Sequence, residues 1–181
     1  MHNGDPRDDI LLSDEELVAR CDVHTYKSSG PGGQHRNKVS SAVRLKHRAS
    51  GVSAHGDDSR SQHQNKAMAI RRLRMNMACS LRREIDLQSP VPPMVKERLF
   101  VARGGDAKGA TRFAIGSKDA AFWPVAAWVL DLLEAVEGRV SDAAAVVGVS
   151  TANLTKVLQQ ERHLLSAVQE IRKRHGLKPL T

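Results

Sequence analysis

Aromatic side chains are scarce in this 181-residue chain: three Phe, two Trp and one Tyr, 3% of the sequence. That excludes an aromatic-rich core, so the 40% apolar fraction must build modest cores from aliphatic side chains. Cysteine is scarcer still. Cys21 and Cys79 stand alone, without a CxxC spacing, which excludes a disulfide framework and fits a reducing compartment. A long hydrophobic run is also missing. The most apolar stretch, Ala120 to Leu130, is interrupted by Pro124 and closed by Asp131, well short of the roughly 20 residues a membrane span needs. The acidic, polar start from Met1 to Asp9 has neither the basic beginning nor the apolar stretch of a signal peptide. A cytoplasmic monomer with no membrane partner is expected.

What is plentiful is positive charge, with 28 Lys and Arg against 20 Asp and Glu for a net +8. Its distribution is uneven. Residues 20–116 hold 19 basic and 7 acidic side chains, residues 1–19 hold 1 and 6, and residues 117–181 hold 8 and 7. A polyanion partner therefore belongs to the middle of the chain.

Periodicity divides the chain further. Ser13 and Glu16 stand at capping-box spacing before a short helix. Cys21 to Ser28 alternates as a strand. Val43 and Leu45 alternate with Arg44 and Lys46, and Ser50-Gly51 turns the chain into Val52 to His55, giving a hairpin of basic strands. From Ser59 to about Arg83 the period becomes helical, with Ile70, Leu73, Met77 and Leu81 on one stripe and Arg71, Arg72, Arg82 and Arg83 elsewhere. The stretch 89–117, with its Pro, Gly and scattered cations, reads as a basic connector. Helices follow over 124–137, 141–147, 151–160 and 161–175, stopped by Gly138, Gly148 and Gly176. The expected class is α+β: a small mixed α/β domain with a short sheet and a long basic helix over residues 1–88, a connector over 89–117, and an all-helical module over 118–181.

Chemistry is concentrated in Ser28-Ser29-Gly30-Pro31-Gly32-Gly33-Gln34-His35-Arg36-Asn37-Lys38. Gly30, Gly32 and Gly33 leave the backbone bare enough to reach positive φ and bring amides close to a ligand. Gln34 does not titrate near neutrality, which excludes it as a general base, but its amide can orient water and polarise a carbonyl. His35, Arg36, Asn37 and Lys38 place phosphate-binding groups beside the glycines. A second polar cluster, Arg60-Ser61-Gln62-His63-Gln64-Asn65-Lys66, opens the basic helix.

With both clusters in order, residues 20–76 resemble the catalytic domain of class I peptide-chain release factors and of the short peptidyl-tRNA hydrolases that rescue stalled ribosomes. The matching positions run from Ser28, Gly30, Gly32, Gly33, Gln34, Asn37, Lys38, Ser41, Val43 and Leu45 through Ser50 and Gly51 to Asp58, Arg60, Ser61, Gln62, Asn65, Lys66, Ala69 and Leu73. The resemblance implies that the Gly-Gly-Gln loop enters the peptidyl-transferase centre and that water cleaves the peptidyl-tRNA ester. It assigns catalytic roles to Gly32, Gly33 and Gln34 and makes Gln34 a candidate for N5-methylation by a glutamine methyltransferase. RNA contacts are expected at His35, Arg36, Asn37, Lys38, Arg60, Gln62, Lys66, Arg71, Arg72, Arg82 and Arg83. The partners so implied are large-subunit rRNA and peptidyl-tRNA, with no cofactor.

Departures from the family shape the expectation. Only a short segment precedes the resembling domain, so no codon reader is expected and hydrolysis is read as codon-independent. The end of the chain is a helical module, unlike the basic tail of short rescue hydrolases. In it, Gly148 and Ser150 frame either a helix-turn-helix or a structural αα-corner, and Arg172 to His175 either complement a helix dipole or touch RNA. His47, His55 and His63 lack the pattern of a metal site and read as surface or RNA-facing residues, so no metal is expected. The competing functions are a ribosome- or RNA-binding factor without release activity and a DNA-binding regulator built on the C-terminal helices.

Overall fold

The structure, a computed structural model, describes residues 4–27, 41–104 and 108–180. The chain divides into two compact units, Met1–Ala78 and Cys79–Thr181.

The first unit begins with a 3₁₀ turn, Asp8–Leu11, and helix α1, Asp14–Ala19. The capping box is formed: the Ser13 hydroxyl accepts from the Glu16 N–H at 3.3 Å, and the Glu16 carboxylate accepts from the Ser13 N–H at 3.0 Å. These bonds hold the Glu16 carboxyl below its usual range. Strands β1 (Cys21–Tyr26), β2 (Ala42–His47) and β3 (Ser53–Gly56) form an antiparallel sheet in sequence order. In β2 the expected alternation holds, with Val43 and Leu45 buried and Arg44 and Lys46 exposed. Helix α2, Gln62–Ser80, buries Ile70, Leu73 and Met77 of the stripe read from the sequence, together with Ala69, and ends before Leu81, which is half-buried. A close approach fixes its start. A Cβ added to Gly56 would lie 1.9 Å from the Asn65 carbonyl oxygen, so only glycine lets β3 meet α2 here.

His47 corrects one expectation: it is neither a surface nor an RNA-facing residue but is fully buried. Its Nε2 lies 2.9 Å from the Asp9 carboxylate and its Nδ1 2.8 Å from the Ser50 hydroxyl, so both ring nitrogens are satisfied inside the fold. Arg74 completes the attachment of the N-terminal segment, donating to the carbonyls of Ile10 and Leu12 and to the Asp14 carboxylate.

The second unit contains the stretch 89–117, which folds into a short helix α3 (Pro93–Lys96) and a hairpin of β4 (Leu99–Val101) and β5 (Thr111–Phe113). Four helices follow: α4 (Phe122–Ala135), α5 (Val140–Val147), α6 (Thr151–Gln159) and α7 (Arg162–Arg174). Every residue from Phe122 to Leu133 in α4 is buried, which makes it the core of this unit. Between α5 and α6 the chain turns at Gly148, whose φ of 80° is left-handed, and Ser150 caps α6 by accepting from the Asn153 N–H. Asn153 reaches back to the hairpin. Its side chain accepts from the Phe113 N–H at 2.7 Å and donates to the Phe113 carbonyl at 3.0 Å.

Candidate functional site

The segment carrying the Gly-Gly-Gln sequence joins β1 to β2, and the last register pair before it is Tyr26 with Ala42. Gly32, Gly33, Gln34, His35, Arg36, Asn37 and Lys38 lie outside the described residues. What the structure describes is the frame from which that segment is hung.

Asn65 is the centre of the frame. It is 1% exposed, and its Nδ2 donates to the Ser41 carbonyl at 2.8 Å and to the Ser59 carbonyl at 2.7 Å. Its Oδ1 accepts from the Ser59 N–H at 2.8 Å. One side chain at the start of α2 thus fixes both Ser41, which leads out of the candidate loop, and the turn before the helix. Only a primary amide can donate twice and accept once in this way.

Arg72, about two turns further along α2, forms a second brace. It donates to the His55 carbonyl at 2.9 Å and pairs with the Asp58 carboxylate at 2.8 Å. The guanidinium holds the Asp58 carboxyl below its usual range. On the open face of the sheet, the Tyr26 hydroxyl lies 3.1 Å from His55 Nδ1 with the two rings edge to face. His24, Arg44 and His55 stand in register across the three strands, all exposed.

The sequence-derived RNA-contact residues therefore separate. Arg60, Gln62 and Lys66 are exposed around the start of α2, and Arg71 is exposed on the same helix. Arg72 is braced as described. Arg82 and Arg83 fall in the second unit. There the Arg82 side chain donates to the Cys79 carbonyl at 2.5 Å and lies 3.4 Å from the fully buried carboxylate of Asp131, which also accepts from the Arg83 N–H at 3.1 Å. Burial lowers the Arg82 pKa from its usual value, and Asp131 opposes that shift. Arg174 and His175 both engage Glu134, and Arg172 donates to the carbonyls of Gly138 and Lys178.

Among the described residues no cluster of three His, Cys, Asp or Glu side chains is placed to hold a metal ion, and no helix is long and apolar enough to cross a membrane. Cys21 and Cys79 are free, and burial pushes both thiols up to about 11. Sequence reasoning missed Arg74, and it did not separate the bracing role of Asn65 from the exposed positions beside it. The signals for Asn65 were its place inside the second polar cluster and its match to the family pattern.

The RF-1 domain family matches residues 14–96, the stretch that contains this frame. Similar proteins include peptide chain release factor 1 of Rhodospirillum rubrum, 44% identical over 78 residues, which are 43% of this chain and 21% of that protein. Peptide chain release factor 2 of Sulfurimonas denitrificans is 46% identical over 70 residues, 39% of this chain and 19% of that protein. Peptide chain release factor 1 of Rickettsia canadensis is 47% identical over 66 residues, 36% of this chain and 18% of that protein. The chain spans about a fifth of the length of these relatives. Residues 14–96 are thus similar to the RF-1 domain of peptide chain release factors.

Proposed function

We propose that this protein hydrolyses the ester of peptidyl-tRNA on the ribosome without requiring a codon, using the loop of Gly32, Gly33 and Gln34. One observation carries the reading: the release-factor-like segment retains the Gly-Gly-Gln tripeptide between β1 and β2, and Ser41, where the chain enters β2, is held by Asn65. In this scheme water adds to the ester carbonyl, the carbon–oxygen bond to the terminal ribose breaks, and that ribose oxygen takes a proton. The Gln34 backbone N–H stabilises the developing oxyanion and its side-chain amide orients the water. Gly32 and Gly33 let the backbone reach the ester. Gln34 is a site for N5-methylation in the same scheme.

Docking on large-subunit rRNA falls to His35, Arg36, Asn37 and Lys38 in the loop, with Arg60, Gln62, Lys66 and Arg71 along α2. Arg72 and Arg82 contribute less, because intramolecular contacts already engage their guanidinium groups.

The test is peptide release from ribosomes carrying peptidyl-tRNA, in parallel with an empty A site and with a stop codon there. Comparable release in both arms is expected. Release only with the stop codon would overturn codon independence, and binding without release in either arm would leave an RNA-binding factor.

A further inference from the structure

Phe100 is the one aromatic side chain among the described residues that stands well exposed, at 50%, while Phe113, Phe122, Trp123 and Trp128 are buried. In a chain with so few aromatics, a phenyl ring left in water on an ordered strand is a position where the fold gives no reason for the ring. Val101 beside it is 59% exposed, and the two line a shallow hollow with Arg103.

The surroundings are cationic. Arg112 stands directly opposite Phe100 in the β4–β5 register. The hairpin closes through the Ala102 N–H to the Ala110 carbonyl at 3.0 Å and the Gly109 N–H to the Ala102 carbonyl at 2.9 Å, so Arg103 and Lys108 flank the closure. Among the described residues, Arg103, Lys108 and Arg112 have no ion-pair partner. Elsewhere in this unit the arginines are engaged: Arg98 pairs with Asp119, Arg139 with Glu137 and Asp142, and Arg174 with Glu134. The hairpin is also firmly mounted, since Asn153 takes both backbone groups of Phe113 and Gln160 donates to the Ile115 carbonyl at 2.7 Å.

We propose that the β4–β5 hairpin binds single-stranded RNA, with Phe100 stacking on an unpaired base and Arg103, Lys108 and Arg112 holding the adjoining phosphates. An exposed ring offers every base a π-face, and neighbouring guanidinium groups offer charge to the backbone. Charge complementarity selects this occupant over a protein surface, for which an aromatic site ringed by cations has no special fit. The proposal gives the second unit an RNA contact of its own and rests on the reading of the chain as a protein that works on the ribosome. Its test needs no ribosome, so either idea can fail alone.

The experiment is a fluorescence-anisotropy titration of the full chain with fluorescein-labelled oligouridylate over a range of salt. Phe100→Ala and Phe100→Leu should each weaken binding by about tenfold, while Phe100→Trp keeps it. Arg103→Gln with Arg112→Gln should flatten the salt dependence by about 0.7 in log–log slope per arginine. Circular dichroism should match the parent for all variants, because Phe100 lies outside the core. Full affinity in Phe100→Leu would point to an apolar protein contact and overturn the proposal, as would parental binding in Phe100→Ala or no oligouridylate binding by the parent at low salt.

Discussion

Each unit of this protein is braced by one buried asparagine in the first turns of a helix, and the two braces differ instructively. Asn65 in α2 donates to two carbonyls and accepts from one N–H, tying Ser41, which leads out of the candidate loop, to the turn at Ser59 before the helix. Asn153 in α6 donates once and accepts once, gripping a single residue, Phe113, of a hairpin strand. The same amide chemistry serves a release-factor-like frame in one unit and the mounting of a hairpin in the other. Such a brace satisfies backbone groups that face away from a ladder or lie outside one, and burying them unpaired would cost about 1–3 kcal/mol each. The comparison also says where charge is free. In the first unit, exposed cations cluster around the start of α2. In the second, the arginines are mostly engaged, and Arg103 and Arg112 on the hairpin have no ion-pair partner among the described residues.

The largest stability effects should come from Asn65→Asp and Asn153→Asp, which exchange donors for a buried negative charge at a cost of about 3–5 kcal/mol. Asn65→Asp loses two donated bonds and Asn153→Asp only one, so the former should be the more damaging. Urea unfolding followed by circular dichroism ranks them. Trp123 and Trp128 both belong to the second unit, so their fluorescence should register Asn153→Asp first. An equal shift of the tryptophan transition by Asn65→Asp would mean that the two units unfold as one.

Gly56→Ala and Gly148→Ala separate overlap from backbone strain. At Gly56 the new methyl meets the backbone of α2, and a loss of about 3 kcal/mol is expected. At Gly148 nothing lies within 4 Å of the added carbon, so only the left-handed φ is penalised, by about 1 kcal/mol. Thermal melts should place the two in that order. Ser13→Ala removes the capping box and should cost about 1 kcal/mol on the same measurement.

The smallest effect concerns pH. Asp58 has its folded pKa depressed by Arg72, so its contribution is present above the unfolded value and is lost as pH falls through the folded one. Both groups are partly exposed, which limits the contribution to less than about 1 kcal/mol. Asp58→Asn should therefore lower stability slightly at neutral pH and converge with the parent in acid. A difference that grows toward acid would contradict the pairing.

Local pattern carried much of the fold. Alternation at Val43 and Leu45, the stripe of Ile70, Leu73 and Met77, and the caps at Ser13 and Ser150 all depend on near neighbours and are present as read. What escaped depends on distant partners. His47 looked like a surface residue because Asp9, which holds it, lies 38 positions away. The stretch 89–117 read as a connector because its hairpin is fixed by Asn153, 40 positions from Phe113. Arg72 looked like any helix cation until Asp58 and the His55 carbonyl were seen beside it. The candidate loop itself was read from its residues, while the asparagine that braces its end became legible only with the sheet and helix assembled.

The central claim, that the loop of Gly32, Gly33 and Gln34 performs ester hydrolysis, is met most directly by measuring peptide release and ribosome binding together for the parent and for Gly33→Ala. The account predicts release by the parent on ribosomes with an empty A site. In Gly33→Ala, release should fall by about 10²–10³ with binding nearly unchanged, since the substitution alters the backbone and removes no charge. Parental release rates in Gly33→Ala, or no release by the parent despite tight binding, would contradict it.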